Sequence, residues 1–225
     1  MSKKTIFTAV FAMLVLVAAQ ASASVVYNWT GGTDQPMPAI NYFGPGPQTF
    51  GNGNTITWSS TNAFNQGGSV FGYTGGYGFS GNGFWDGALG PMAGLNDSFD
   101  FYGVTDTMTF AFANPVQSVG GFFNYVPFGS TPTTIAVYDA NHNLLDSVSL
   151  TFVVGSSCVD CGMLIGFIEN TADISYLTMT DNYIGVTGLV TNFNASAGVP
   201  EPASMLLLGS GLLGLAGTLR RKLSK

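Results

Sequence analysis

Short segments in which apolar and polar side chains alternate run through the second half of the chain. In DTMTFAF, Met108, Phe110 and Phe112 alternate with Thr and Ala, which is the period of a half-buried strand. The segment SVSLTFVV at 147–154 repeats this pattern, and Asn114-Pro115 is expected to punctuate the chain after the first strand. Further strand candidates are VQSVGGFFNYV, TTIAVYD, MLIGFI, ISYLTMT and YIGVTGLV.

The first half of the chain has a weaker pattern. VVYNW is a strand candidate, and a turn-rich segment with several prolines follows it. Residues 51–94 are rich in Gly, Asn and aromatics, and no helix is expected at that glycine density. TITWSS and SVFGY are candidates for short strands there, and we expect the remainder to form long loops on a β scaffold.

The pattern as a whole predicts an all-β fold. Between the two ends of the chain no segment has the amphipathic period of a helix, and antiparallel sheets with one apolar face must pair to bury it. We therefore expect a single antiparallel β-sandwich domain over residues 24–193. A small, polar segment at 194–199 is expected to act as a linker.

The N-terminus has the order of a secretory signal peptide. Lys3 and Lys4 precede the apolar run TIFTAVFAMLVLVAA, and the small residues Ala21-Ser22-Ala23 follow it. These features predict a signal peptide over residues 1–23 with cleavage after Ala23. The run is too short, and too promptly followed by polar sequence, to be read as a permanent membrane span.

The C-terminus has the pattern of a membrane helix. Residues 203–219 contain no charge, and at about 1.5 Å per residue they reach roughly 26 Å, close to the ~30 Å hydrocarbon thickness. Arg220, Arg221 and Lys222 follow at once within a basic tail at 220–225, and basic residues stay on the cytoplasmic side. We expect a transmembrane helix over 203–219 and export of everything between it and the signal helix.

Charge is divided unevenly along the chain. All 6 Lys and Arg residues lie in the two terminal segments, whereas all of the 12 acidic residues except Glu201 lie between residues 24 and 199. Phosphate groups are normally held by Arg or Lys, and nucleic-acid affinity rests on cations that neutralise phosphates. The central domain is therefore not expected to bind nucleic acid.

Three parts of the tail together resemble the PEP-CTERM sorting signal of exported bacterial proteins. They are Pro200-Glu201-Pro202, the uncharged helix and the basic cluster of Arg220, Arg221 and Lys222. The resemblance implies export by the Sec machinery and processing by an exosortase near the Pro-Glu-Pro motif. It also implies a Gram-negative host that makes exopolysaccharide, a membrane-anchored precursor, and a mature form at the cell surface or in the extracellular matrix.

A second resemblance concerns the domain itself. FAFANPVQSVGGFFNY, TTIAVYDANHNLLDSVSL and MLIGFIENTADISYLTMT are similar in order to the jelly-roll domains common among exported proteins with this tail. The similarity covers roughly residues 107–190 and implies a jelly-roll-like sandwich. Many such domains have no known activity, and residues 24–95 match no pattern of the family.

The two cysteines form the motif C-V-D-C. Cys158 and Cys161 lie among Gly and Ser residues between two strand candidates. Outside the cytoplasm the simplest interpretation is a disulfide that closes a tight loop. Free thiols, a redox role and a zinc site are the alternatives, although the single His142 cannot complete a zinc site by itself.

Several acidic residues are candidate calcium ligands. Asp97 and Asp100 occur in LNDSFDF, and Asp139 occurs in VYDANHNLLDS beside His142. Sandwich lectins often hold a structural calcium through Asp, Asn and backbone carbonyls. Solvated surface acids and a metal-free turn are the simpler interpretations, because Asn and Asp are typical turn residues. The sequence therefore predicts no cofactor, with calcium as the alternative.

The glycine- and aromatic-rich block suits carbohydrate binding in principle. Exposed rings of Tyr73, Tyr77 and Trp85 would stack on pyranose faces, and Asp86 would bond hydroxyl groups. The alternative is that these rings cover the sandwich core, since large aromatics are more often buried than displayed. The sequence therefore predicts a non-enzymatic, exported surface or matrix protein. A lectin-like module that binds exopolysaccharide is the alternative.

Overall fold

The structure, a computed structural model, describes residues 23–62, 68–96, 105–127 and 132–195. These residues form short β-strands joined by turns, with a single 3₁₀ turn at Ser80–Asn82. The strands of the first half are β1 (Ser24–Val26), β2 (Trp29–Thr30), β3 (Thr33–Asp34), β4 (Tyr42–Phe43), β5 (Gln48–Phe50), β6 (Ile56–Ser60), β7 (Ser69–Tyr73), β8 (Tyr77–Gly78) and β9 (Phe84–Trp85). Those of the second half are β10 (Met92–Asn96), β11 (Asp106–Val116), β12 (Ser118–Tyr125), β13 (Thr134–Tyr138), β14 (Leu144–Ser149), β15 (Met163–Ile168), β16 (Ile174–Asp181), β17 (Tyr183–Thr191) and β18 (Asn194–Ala195).

Two antiparallel sheets contain most of these strands. The first has the order β1-β15-β12-β17-β10-β7-β4, with β3 paired to the end of β17. The second has the order β14-β13-β16-β11-β6-β5. Two smaller ladders, β18-β2 and β8-β9, complete the described pairing. The expectation of an all-β antiparallel sandwich is confirmed.

The strand order within the sandwich is that of a jelly roll. From β10 to β17 the chain crosses repeatedly between the two sheets. The neighbouring strands in the first sheet are β10, β17, β12 and β15, and those in the second sheet are β11, β16, β13 and β14. This is the order produced by two Greek keys wound together. Strands from the first half of the chain add to both sheets, so the described residues of 24–95 belong to the same sandwich.

The main core lies between the two sheets. Met108, Phe110 and Phe112 point into it from β11, as their alternation with partly exposed residues predicts. Trp58 on β6 and Phe71 on β7 meet across the sheets with ring centroids 5.1 Å apart. Burial of this apolar surface is the main driving force for folding, so the alternation in the sequence explains the sandwich directly.

Two expected strand boundaries are wrong. β11 does not end at Asn114-Pro115 but runs to Val116, and its register with β16 shifts between Ala111 and Val116. This shift in register accommodates Pro115, which has no N–H group to donate a hydrogen bond to the neighbouring strand. The predicted strand at 147–154 begins earlier and ends at Ser149, because β14 is an edge strand paired only with β13 and the chain leaves the sheet there.

The glycine-rich segment is more ordered than expected. The expected short strands TITWSS and SVFGY form β6 and β7, whereas β8, β9 and β10 lie where loops were expected. At the other end, Asn194 and Ala195 pair with Thr30 and Trp29, although the sequence placed the start of the linker at 194. Phe193 stacks on Trp29 at 4.6 Å between ring centroids, and this contact holds the pairing in place.

Both targeting segments lie outside the described residues. Contacts divide the chain into one unit at Met1–Ala195 and another at Ser196–Lys225. Within the part of the chain that the structure describes, no helix has the length and apolar character needed to span a bilayer. The predicted signal helix up to residue 22, the helix at 203–219 and the basic tail are not among those residues.

Candidate functional site

The aromatic block folds back over the outer face of the first sheet. Tyr77, Phe79 and Trp85 form a second apolar cluster with Val70 and Met92, separate from the core between the sheets. Glycines in the underlying strands make this close approach feasible. A Cβ atom at Gly185 would lie 3.0 Å from ring atoms of both Phe79 and Trp85, so a larger residue there would push the rings away from the sheet.

The rings of this second cluster pack edge to face and their polar atoms are bonded. Phe79 and Trp85 have centroids 4.8 Å apart at 70°, the arrangement that the ring quadrupoles favour. The Tyr77 hydroxyl donates to the Leu95 carbonyl at 2.7 Å, and Trp85 Nε1 donates to the Cys161 carbonyl at 2.8 Å. The aromatic block is therefore a packed and hydrogen-bonded part of the fold.

This packing decides between the two interpretations of the aromatic residues. Tyr77 is 6% exposed and Trp85 2% exposed, so neither ring presents a face to a sugar. Tyr73 is partly exposed and lies edge-on to Phe43 at 5.8 Å. Asp86 is exposed, and one of its carboxylate oxygens accepts the Ala88 amide. The core interpretation holds for Tyr77 and Trp85, and only Tyr73 and Asp86 of the predicted set reach solvent.

The cysteine loop is braced against the aromatic block. Cys158 and Cys161 are joined in a disulfide with Cα atoms 5.8 Å apart. The Phe84 amide donates to the Cys158 carbonyl at 3.0 Å, and the Asp160 amide donates to the Phe84 carbonyl at 2.8 Å. The loop thus adds a short ladder to β9, and the disulfide that the sequence favours over its alternatives is present in the structure.

Asp139 organises a hairpin turn. Its carboxylate accepts the amides of Asn141 and Asn143, both at 2.8 Å, and the Asn143 side chain at 2.8 Å. These bonds, above all those from Asn143, lower the pKa of Asp139. His142 has φ of 60° at the tip of the turn and stacks on Tyr176 at 4.3 Å. The turn is thus organised by hydrogen bonds and a ring contact within the chain itself.

Calcium binding at Asp97, Asp100 and Asp139 stays a prediction. Asp97 and Asp100 lie outside the described residues. Among the residues that the structure does describe, no group of three or more acidic, His or Cys side chains is arranged to hold a metal ion.

The buried acids among the described residues are Asp106, Glu169 and Asp181, and the sequence reasoning missed Glu169. Asp181 ends β16, where it accepts hydrogen bonds from the Thr133 hydroxyl at 2.5 Å and the Asn182 amide at 2.7 Å, and burial raises its pKa. Glu169 follows β15 and is 5% exposed. Glu169 directly follows the apolar strand β15, and this position is the signal in the sequence that would have identified it.

An open cleft lies near β1, β14 and β15. Its volume is about 370 Å³ and its lining is mostly apolar, with hydroxyl groups at its rim. The lining residues are Tyr27, Val148, Ser149, Leu150, Thr151, Phe152, Met163 and Ile165. Since these described residues offer no carboxylate, imidazole or thiol, the chemistry of the cleft is that of apolar contact and hydroxyl hydrogen bonding.

The fold defines the domain as an all-β sandwich. The tail defines its class more closely, because the family described as PEP-CTERM protein-sorting motif matches residues 198–222. The chain therefore carries a PEP-CTERM sorting motif, which implies an exported protein sorted by an exosortase. No curated protein matches the chain.

A solved structure with some similarity is a His 62 mutant of the lectin binding domain of Lectinolysin complexed with Lewis b. It has a TM-score of 0.28 and 8% sequence identity, and the match covers 47% of this chain and 72% of that chain. At that TM-score the similarity carries no argument about the present domain.

Proposed function

We propose that this protein is a non-enzymatic component of the cell surface or extracellular matrix. In this proposal the Sec machinery exports it, the C-terminal helix holds the precursor in the membrane, and an exosortase processes it near Pro200-Glu201-Pro202. The observation that carries the proposal is the sorting motif at residues 198–222. The mature sandwich would then be delivered outside the membrane.

The charge distribution supports the same function. Every Lys and Arg belongs to a terminal segment, so processing at both ends would leave an entirely acidic domain. Net repulsion keeps such a domain soluble and apart from its copies. A non-enzymatic role is supported by the polar groups described above, because Asp139, His142 and Asp181 are each engaged in holding turns and strand ends.

The test replaces the motif in an exosortase-containing Gram-negative host. Ala substitution of Pro200 and Pro202 with Glu201→Gln should leave the uncleaved precursor in the membrane fraction, and the unchanged protein should appear in the surface or medium fraction. A matched control replaces Asn194 and Ser196 by Ala ahead of the motif, which should not alter release. Equal release of the motif variant would contradict exosortase processing.

Carbohydrate binding is the second candidate, at a site other than the buried rings. The observation that favours it is the pair of Phe43, 43% exposed, and partly exposed Tyr73 on adjacent strands. One exposed and one partly exposed ring at this sheet edge offer a surface on which a pyranose can stack. Asn41 precedes β4 there, and its side-chain oxygen accepts a hydrogen bond from the Thr74 amide.

A pulldown with the host exopolysaccharide tests this second candidate. The processed protein should be retained, with or without calcium, and Phe43→Ala should abolish retention. Leu144→Ala removes a more exposed apolar side chain, 56% exposed, on the edge strand β14 of the other sheet and serves as the control. Loss of retention in both variants, or no retention of the unchanged protein, would contradict binding at Phe43.

A further inference from the structure

Glu169 is a buried carboxylate with an unsatisfied oxygen. Its side chain is 5% exposed, and no described residue donates a hydrogen bond to its buried Oε1 atom. Burial raises the pKa of Glu169, and the negative charges of Asp173 and Asp146 raise it further. Burying an unpaired charge is costly, so a cation beside Glu169 would stabilise its ionised form.

The exported domain contains almost no cation that could serve. It has no Lys or Arg between residues 24 and 199, and its single histidine is His142. His142 is stacked on Tyr176 at the tip of the β13–β14 hairpin. The one further positive charge that such a chain acquires is the α-ammonium group at its own N-terminus.

The start of the domain lies beside Glu169. β1 pairs antiparallel with β15, with Ser24 opposite Ile168, Val25 opposite Phe167 and Val26 opposite Gly166. One step further along this register, Ala23 comes opposite Glu169, and the Ala23 amide donates to the Glu169 carboxylate. The Ser24 nitrogen is one residue away, about 3.3 Å along the strand.

We propose that removal of the signal peptide after Ala23 turns the Ser24 nitrogen into an ammonium group that pairs with Glu169. This inference rests on the export proposed above. The ammonium supplies three N–H donors and a positive charge to a site that offers an open acceptor and three neighbouring acids, Glu169, Asp173 and Asp146. Pairing of β1 with β15 keeps the new terminus in place, so cleavage would complete the site.

The ammonium group can be titrated directly, because the domain contains no lysine. The full chain is exported from a Gram-negative host with its own signal peptide, and intact mass establishes where it begins. Competitive acetylation over a pH series, followed by chymotrypsin and mass spectrometry of the N-terminal peptide, gives the apparent pKa of the α-amino group. The ordinary value is about 7.7–8.0.

We expect the apparent pKa to be raised in the folded protein. A shift of one unit would slow acetylation near pH 8 roughly fivefold relative to the chain unfolded in urea. Glu169→Gln should abolish the shift, whereas Asp34→Asn, which removes an exposed charge on β3, should preserve it. An unshifted pKa in the folded protein, or an equal shift in the Glu169→Gln variant, would overturn the inference.

A second measurement covers the case in which Glu169→Gln does not fold. Periodate converts an N-terminal serine into a glyoxylyl group and so removes the ammonium while Glu169 is untouched. The oxidised protein should unfold at a lower temperature than the untreated protein at pH 6, and the difference should vanish as the pH rises through the raised pKa. A chain that retains residues 1–23 would overturn both this inference and the proposed export, whereas a chain beginning at Ser24 without these effects would overturn the ion pair alone.

Discussion

Glycines in the first sheet set the distance at which the aromatic block packs. Phe79 and Trp85 rest against the backbone of Gly185, where an added Cβ would lie 3.0 Å from each ring. We predict that Gly185→Ala lowers the free energy of unfolding by about 1–3 kcal/mol, because overpacking displaces rigid rings. Urea unfolding followed by tryptophan fluorescence measures this loss.

Gly78→Ala is the matched control for Gly185→Ala. Gly78 is an exposed strand residue, and a Cβ there would meet nothing within 4 Å. Its effect should stay within about 0.5 kcal/mol, as for most surface substitutions. Similar losses for both variants would mean that the block does not rest on Gly185.

Asp181 predicts a pH dependence of stability. Burial raises the pKa of Asp181, so the folded protein favours the protonated carboxylic acid. This preference stabilises the folded protein at low pH. The stabilisation is lost as the pH rises from the ordinary pKa of an aspartate through the raised pKa. Asp181→Asn removes this titration while an amide oxygen still faces the Thr133 hydroxyl. We expect the stability of the unchanged protein in urea unfolding to fall relative to the Asn variant as the pH rises above the ordinary aspartate pKa of about 3.9. Parallel pH curves would contradict a raised pKa.

At the scale of elements, the cysteine loop shapes β9 more than it holds the fold. The disulfide spans a sequence separation of 3, and so short a closed loop removes little entropy from the unfolded chain. Replacing both Cys158 and Cys161 by Ser should cost no more than about 2 kcal/mol and leave the sandwich folded. Thermal unfolding with far-UV circular dichroism checks both results, and loss of the β signal at room temperature would contradict this role.

The sequence predicted those elements that local alternation defines. Met108, Phe110 and Phe112 face the core as their spacing requires. The extension of β11 through Pro115 was not predictable, because a register shift between strands absorbs the proline. The end of β14 at Ser149 likewise depends on its position at a sheet edge, which no local pattern reveals.

The candidate site was predicted less well, because it depends on contacts between distant residues. Trp85 is buried only because Gly185, far along the chain, leaves room for its ring. Glu169 lies beside Ala23 only because β1 pairs with β15. The sorting motif, by contrast, is contiguous in sequence and was predicted in full.

At the scale of the molecule, the partition of charge predicts resistance to trypsin. Residues 24–199 contain no Lys or Arg, so the processed protein should remain uncut even when unfolded in urea. Asn141→Lys in the β13–β14 turn supplies one site and should yield two fragments under the same conditions. Gel electrophoresis and mass spectrometry read the result, and internal cleavage of the unchanged protein would contradict processing to this segment.

In the proposed function the sandwich is exported and then freed from its sorting tail. Intact mass spectrometry of the protein isolated from its exosortase-containing host is the direct test of both steps. We expect a chain that begins at Ser24 and lacks Arg220 to Lys225. A species of 23.5 kDa, the mass of the complete chain, would contradict it.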